Sequence, residues 1–307
     1  MHNHFIFWVI FSVIIIVMLY IDLNITSHRK GKIGIKTSMI WSGVWIGTAL
    51  LFNLLILLFL ENGKQKALEF LAGYLVEKSL SIDNLFVFLM IFNVMGIREE
   101  NQPHVLKWGI ISAIAMRILF ILAGIALINM FHPIIYFFGA LLLYAAYHMA
   151  FGEETQIDLE NNRLVKFVSK AFRILPKYEG RKFFLTQEGK LYFTPLFLTL
   201  ILIEAADIVF NLDSVPAVIA ITTDSFIVIT SNIFAILGLR ALYFALAGIV
   251  DLFVYLKYGV SVILAFVGLK MLVADYLEIS TALSLGIIIL CIAVSVILSL
   301  MKKRHVS

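Results

Sequence analysis

Long runs of apolar residues, separated by short polar stretches, recur along the whole of this 307-residue sequence. A helix of about 20 such residues spans the hydrocarbon core of a bilayer, which is roughly 30 Å thick. A soluble domain could not hide so many runs, because its helices need polar faces. Since 62% of the residues are hydrophobic and only 14% are charged, we expect an all-α, polytopic membrane protein.

We expect about nine transmembrane helices. The first run has no Lys or Arg in front of it and no small-x-small cleavage site behind it, so we interpret it as a retained helix. The nine runs lie near residues 5–21, 39–60, 67–95, 105–129, 134–151, 194–213, 227–250, 258–274 and 281–301.

The distribution of Lys and Arg predicts the orientation of these helices. With the N-terminus outside, the inner segments hold eighteen of the 24 basic residues, whereas the outer segments hold only Lys64 and Lys66. We therefore expect a multi-pass membrane protein with its C-terminus in the cytoplasm. The net charge of +4 follows from this asymmetry and requires no nucleic-acid partner.

The one long connection, 152–193, falls on the cytoplasmic side. Its segment 163–177, "RLVKFVSKAFRILPK", places apolar residues on one helical face and Lys and Arg on the other. This pattern predicts a basic amphipathic helix that lies on the anionic lipids of the inner leaflet; docking of a protein partner is the alternative. The following "KFFLTQEGKLYF" predicts a short hairpin that turns at Glu188-Gly189.

Three consecutive helices match three later helices in order. "EKSLSIDN" (77–84) corresponds to "DIVFNLDS" (207–214), "RILFILAGI" to "RALYFALAGI", and "GALLLYAAYHM" to "SVILAFVGLKM". An odd number of spans separates the copies, so the second repeat is inverted relative to the first, as in transporters whose sites lie where two repeats meet. The predicted divisions are two N-terminal helices (1–66), a first repeat (67–151), the connection (152–193), a second repeat (194–276) and a C-terminal helix with a basic tail (277–307).

The matched segments carry carboxylates at membrane depth, where such side chains are costly and mark function. No His or Cys accompanies them, so the oxygen and amide donors favour a hard cation such as Mg²⁺, Ca²⁺ or Mn²⁺. The candidate metal ligands are Glu77, Asp83, Asn84, Glu204, Asp207 and Asp213.

Helix geometry limits how these acids can share an ion. Residues six apart on an unbroken helix are separated by about 9 Å of rise and about 120° of rotation. Each motif must therefore break, or each ion must be shared between the repeats. Pro216 predicts a break in the sixth helix, which would make Asp213 a direct ligand beside freed carbonyl oxygens.

Internal salt bridging is the alternative role for these acids. We favour ion handling for Asp83, Asp207 and Asp213, and leave both interpretations open for Glu77 and Glu204. The partners in such salt bridges would be the four basic residues inside helices: Lys78, Arg117, Arg240 and Lys270.

Two segments, "EKSLSIDNLFVF" and "TPLFLTLILIEAADIVFNLDSVPAVIAIT", closely resemble the signature segments of the TerC family of integral membrane proteins, which includes the Alx branch. The resemblance extends from residue 5 to about residue 300. It implies a transporter of seven to nine helices, related to the LysE superfamily, with bacterial members associated with manganese(II) export, and hence a protein of the bacterial inner membrane. The family's intramembrane acids would correspond to Glu77, Asp83, Glu204, Asp207 and Asp213. One departure is Ala205-Ala206, where a Thr is expected.

We therefore expect a transporter that exports divalent cations, with manganese(II) favoured over calcium, with no permanent cofactor and with proton coupling as a hypothesis. The rival is a membrane platform of a tellurite or stress-response complex that docks proteins through 152–193. An enzyme is not expected: an intramembrane aspartyl protease would need a Gly-x-Gly-Asp flank and a Pro-Ala-Leu segment, and this sequence has neither.

Overall fold

A computed structural model describes residues 2–24, 34–131, 133–152, 180–187, 190–246, 255–277 and 279–304. Before the long connection lie α1 (His2–Asn24), α2 (Ile35–Phe59), α3 (Gly63–Val94), α4 (Gln102–Met130) and α5 (Ile134–Phe151). The strands β1 (Phe184–Gln187) and β2 (Lys190–Phe193) follow. The remaining helices are α6 (Pro195–Ile219), α7 (Ser225–Ile236), α8 (Leu239–Leu246), α9 (Leu256–Leu272) and α10 (Thr281–Arg304).

Seven segments of the described chain are long and apolar enough to cross a membrane. They lie in α1, α2, α4, α5, α6, α7 with α8, and α10. Two further helices are not among them: α3 carries several ionisable residues along its length, and α9 has only 17 residues. The all-α, multi-pass class is therefore confirmed, while the number nine stays a prediction.

The helix ends gather at two opposite ends of the bundle. At the first, which we call the Gln102 end, the hydroxyl of Tyr243 in α8 donates to Oε1 of Gln102, the first residue of α4, at 2.8 Å. At the second, the Asp224 end, Nζ of Lys66 near the start of α3 lies 2.9 Å from the carboxylate of Asp224, which precedes α7. α7 and α8 therefore run in the same direction, from the Asp224 end to the Gln102 end.

Close packing between α5 and α9 depends on two glycines. A Cβ atom on Gly139 would lie 3.0 Å from the carbonyl oxygen of Gly268, and one on Gly268 would lie 2.9 Å from that of Gly139. Small residues let membrane helices approach this closely.

Elsewhere α3 packs against α6 and α7, and α4 packs against α6 and α7. The inverted repeat itself stays a prediction.

The expected break at Pro216 is wrong, because α6 continues as a helix to Ile219. Proline removes one amide donor, which leaves the carbonyl of Leu212 without its helical partner. The helix nevertheless resumes, with the amide of Ala220 donating to the carbonyl oxygen of Pro216 at 2.9 Å. The residues from Val215 to Ile219 are all buried, and their packing outweighs the loss of one hydrogen bond.

The break lies instead in the next span, between α7 and α8, at Leu237 and Gly238. Gly238 has φ +84°, a left-handed conformation that glycine adopts without steric cost. Nζ of Lys78 donates to the carbonyl oxygen of Ala235, in the last turn of α7, at 3.0 Å. An ammonium group at a helix C-terminus also stabilises the negative end of the helix dipole.

The predicted hairpin is present, because β1 and β2 pair antiparallel with Gln187 opposite Lys190. Its turn, Glu188-Gly189, lies outside the described residues. The same holds for the predicted amphipathic helix at 163–177. Its placement on the membrane surface stays a prediction.

We predict that Gly238→Ala destabilises the protein, because the added Cβ would lie 2.6 Å from Cδ1 of Trp45 and the residue would keep a positive φ. Strain and crowding of this kind cost about 1–3 kcal/mol. Thermal unfolding in detergent measures the effect. Gly43→Ala is the matched control, since a Cβ there meets nothing within 4 Å. Equal stability of the two variants would contradict the prediction.

Candidate functional site

An ion pair lies at the centre of the bundle. Nη1 of Arg117 in α4 donates to Oε2 of Glu77 in α3 at 2.6 Å, and the two side chains are 1% and 0% exposed. Oε1 of Glu77 accepts from the hydroxyl of Ser81, one turn further along α3, at 3.2 Å. The salt bridge that the sequence left open for Glu77 is therefore present.

The same guanidinium connects four helices. Besides Glu77, Nη1 of Arg117 donates to Oγ of Ser214 in α6 and, at 3.4 Å, to Oδ1 of Asn232 in α7. All of these partners are buried. Polar groups at membrane depth must find partners inside the protein, so this network fixes the relative positions of α3, α4, α6 and α7.

A small cavity of about 20 Å³ adjoins the network on the side of the Gln102 end. Its size suits one water molecule or one ion without a hydration shell. Leu85, Phe88, Leu106, Ile110, Ile203, Ile236 and Leu239 form its apolar walls. The polar residues that line it come from four helices and are Ser81, Asn84, Arg117, Glu204, Asp207 and Arg240.

Glu204 and Asp207 lie three residues apart on α6, so their side chains project from one helical face. Asp207 is twelve residues from either end of α6, which places it at mid-depth. Glu204 accepts from the hydroxyl of Ser112 at 2.5 Å, and Asp207 accepts from the amide of Asn211 at 3.3 Å. Among the described residues, neither carboxylate has a Lys, Arg or His nitrogen within salt-bridge distance.

The other two predicted acids are not brought to this cavity. Asp213 is nine residues beyond Glu204 on a continuous helix, which turns it through about two and a half turns to the opposite face. It is half-buried there and interacts electrostatically with His148 of α5. Asp83 lies in α3, but its side chain is outside the described part of the structure. A ligand role for either acid stays a prediction.

No group of three or more His, Cys, Asp or Glu side chains within the described ranges is placed to hold a metal ion. The cavity offers two carboxylates, the amide of Asn84 and the hydroxyl of Ser81. The oxygen atoms of all these groups are suitable ligands for hard divalent cations. They form an incomplete ligand set, so a cation here would need closer approach of the helices or retained water.

Some residues of the site were not singled out from the sequence. Ser112 and Asn232 contact Glu204 and Arg117 respectively. The available signal was a single polar residue within an apolar run. Asp22 is a third such residue: its backbone oxygen accepts from Nη1 of Arg240 at 2.9 Å, and its carboxylate interacts electrostatically with the same guanidinium.

The Asp224 end is much more open. Two adjoining cavities of about 670 Å³ and about 920 Å³ lie there and share Asn62, Gln65, Glu69 and Lys270 in their walls. Lys66 and Asp224, joined by their ion pair, line the smaller of the two. The small central cavity and these wide ones thus lie toward opposite ends of the bundle.

Fold and site together define a multi-pass, all-α membrane protein with a buried charged network and carboxylates facing an internal cavity. The model of the integral membrane protein TerC family matches residues 62–307, and the chain belongs to that family.

Similar proteins span almost the whole chain. An uncharacterized membrane protein of Myxococcus xanthus is 41% identical over 298 residues, which is 97% of this chain and 93% of that one. The Escherichia coli K12 protein named "Putative membrane-bound redox modulator Alx" is 43% identical over 288 residues, or 92% and 90% of the two chains. A membrane protein of Rickettsia bellii is 40% identical over 299 residues, or 97% and 98%. No solved structure matches the chain.

We predict that Glu77→Gln is strongly destabilising, because it leaves the guanidinium of Arg117 buried without a counter-charge. Breaking a buried ion pair in this way costs about 3–5 kcal/mol. Arg117→Gln should cost a similar amount. The double variant Glu77→Gln/Arg117→Gln should lose less than the sum, since it leaves no unpaired charge.

Unfolding of the four proteins in detergent measures this coupling. The matched control is Arg98→Gln, which removes an exposed pair with Glu100 at 3.7 Å. Exposed pairs contribute about 0–1 kcal/mol, so the control should unfold almost like the parent. Additive losses in the double variant would contradict a direct ion pair at the centre of the bundle.

Proposed function

We propose that this protein exports divalent metal cations across the bacterial inner membrane, with manganese(II) as the favoured cargo. The observation that carries the proposal is the pair of carboxylates Glu204 and Asp207. They face an internal cavity at mid-depth and have no basic residue of the described chain within salt-bridge distance. Ionisable groups are energetically costly inside a membrane, so those that are present there mark ion pathways.

The neighbouring charges support this assignment. Arg117 already pairs with Glu77, and Arg240 interacts with Asp22, so neither guanidinium forms a close ion pair with Glu204 or Asp207. Arg117 also attracts Asp207, but beyond salt-bridge distance and while it is paired with Glu77. A divalent cation would supply the positive charge that the two carboxylates still lack. When the cargo leaves, protons can take its place on the two carboxylates, which is the basis for the proton coupling that we propose.

The donor types favour a hard ion. Carboxylate, amide and hydroxyl oxygens suit Mg²⁺, Ca²⁺ and Mn²⁺, whereas copper and zinc prefer imidazole and thiolate ligands. A cavity of about 20 Å³ leaves little room for a hydration shell. The cargo would therefore exchange water for protein oxygens, and Mn²⁺ tolerates such a mixed set. Calcium is the less favoured cargo, because it takes six to eight ligands at longer distances.

The packing of the helices supports a site between two related halves. α3 of the first half contacts α7 of the second, and α6 of the second half contacts α4 of the first. The third helices of the two halves, α5 and α9, pack against each other. An inverted repeat would produce such reciprocal contacts. In the orientation that the basic residues predict, the Gln102 end faces the cytoplasm, so cargo would enter from the end nearest the small cavity and leave at the wide Asp224 end.

The rival is a membrane platform for a tellurite or stress-response complex that transports nothing. The name of the Escherichia coli relative concerns redox modulation in that protein. Here the sequence has a single cysteine, Cys291, so no dithiol pair can form within one chain. Under the platform hypothesis, deleting 163–177 would abolish the stress phenotype, whereas neutralising Glu204 and Asp207 would leave it intact.

We predict that Asp207→Asn and Glu204→Gln each abolish manganese export, because an amide keeps the shape of the side chain but cannot neutralise the ion. Intracellular manganese in stressed cells, measured by elemental analysis at matched expression, reports the result. Asp275→Asn is the control, since Asp275 accepts from Tyr136 near the Asp224 end, away from the cavity. Export at the parental rate by both cavity variants would contradict the proposal.

The same assay tests Asp213. If Asp213 is a ligand on the route, Asp213→Asn should reduce export as strongly as Asp207→Asn. If only the cavity binds cargo, Asp213→Asn should resemble Asp275→Asn.

A further inference from the structure

A thin layer of residues separates the small cavity from the Gln102 end. Leu106 lines the cavity and is only four residues from the start of α4. Arg240 of α8 also lines the cavity. Tyr243 follows it by three residues, and its hydroxyl donates to Gln102. The ring of Tyr243 also packs edge-on against Phe92 of α3, with ring centroids 5.7 Å apart. Together α8, α4 and α3 close the cavity at this end.

The helix α8, which carries Arg240 and Tyr243, is separated from α7 by the break at Gly238. The new helix starts directly after the break, with the amide of Leu242 donating to the carbonyl oxygen of Gly238 at 2.9 Å. α7 is fixed on the far side of the break, because Lys78 donates to Ala235 and Asn232 accepts from Arg117. A change of backbone angles at Gly238 would therefore move α8 while α7 stays in place.

Both N-terminal helices, which lie outside this group, also contact α8: α2 packs against it, and Asp22 of α1 accepts a hydrogen bond from Arg240. Asp22, near the end of α1, is only 3% exposed. Its backbone oxygen accepts from Nη1 of Arg240 at 2.9 Å, and its carboxylate and the guanidinium attract each other. α1 and α2 precede the segment that matches the family model, residues 62–307. The N-terminal helices thus contact the wall of a cavity that belongs to the rest of the chain.

We propose that α8 is a gate that pivots at Gly238 and that Asp22 is the positioning residue that holds the gate closed through Arg240. The role of this gate in cargo entry rests on the proposed function. The contact between Asp22 and Arg240 would control access to the cavity whether or not a cargo passes through it. It can therefore be tested without measuring transport.

The test measures access to a cysteine placed in the cavity wall. Cys291→Ser removes the one native cysteine, and Ala113→Cys then places a thiol on the cavity. The rate of modification by a small, positively charged methanethiosulfonate is measured in opened membrane vesicles. Adding Asp22→Asn should raise that rate several-fold, because it removes the electrostatic attraction that holds Arg240 and leaves only the hydrogen bond to the backbone oxygen. Asp22→Glu, which keeps the charge, should restore most of the protection.

Asp275→Asn at the opposite end is the matched control and should leave the rate unchanged. An Asp22→Asn rate equal to that of the parent would overturn the proposal. If Asp22→Asn does not fold, as judged by gel filtration, Tyr243→Phe decides in its place. It removes only the hydroxyl bond to Gln102, and it should also raise the rate; no increase would again overturn the gate.

The outcome is independent of the cargo. Increased labelling without manganese export in any variant would support the gate and refute the proposed function. Manganese export by the parent with unchanged labelling in Asp22→Asn would support the function and refute the gate.

Discussion

The rest of the structure depends on one buried ion pair, between Arg117 and Glu77. A guanidinium and a carboxylate at mid-depth cannot reach water, so each must be neutralised within the protein. Arg117 meets this demand with a carboxylate from α3, a hydroxyl from α6 and an amide oxygen from α7. These contacts fix the helices that surround the cavity, and Glu77 neutralises the positive charge of Arg117. The acids of α6 are left to face the cavity.

The distribution of charge then explains how a membrane protein can keep two carboxylates beside an internal cavity. Glu204 and Asp207 are supported by Ser112 and Asn211, neutral side chains that orient a carboxylate without cancelling its charge. A permanent salt bridge would block the site, while complete isolation would be too costly. Neutral hydrogen bonds are an intermediate solution, and they leave room for a cation or for protons.

Much of this could be predicted from the sequence, because lipid imposes simple rules. The apolar runs and the hairpin at Gln187–Lys190 follow from local pattern. The salt bridge of Glu77 was one of two roles that the sequence left open, and its partner Arg117 is 40 residues away on another helix. The helix break did not: Pro216 lies one turn from the end of α6, where packing sustains the helix. The next span breaks instead at Gly238, which lies against Trp45, and Lys78 donates to Ala235 in the last turn before the break. The contact between Asp22 and Arg240 joins residues 218 positions apart, and no local pattern reports it.

The proposed cargo can be located directly in the purified protein. An experimental structure determined with Mn²⁺, and an anomalous difference map at the manganese edge, would show where the ion binds. We expect one peak in the central cavity, within coordination distance of the carboxylates of Glu204 and Asp207. A peak beside Asp213, or no peak at mid-depth at saturating manganese, would contradict it.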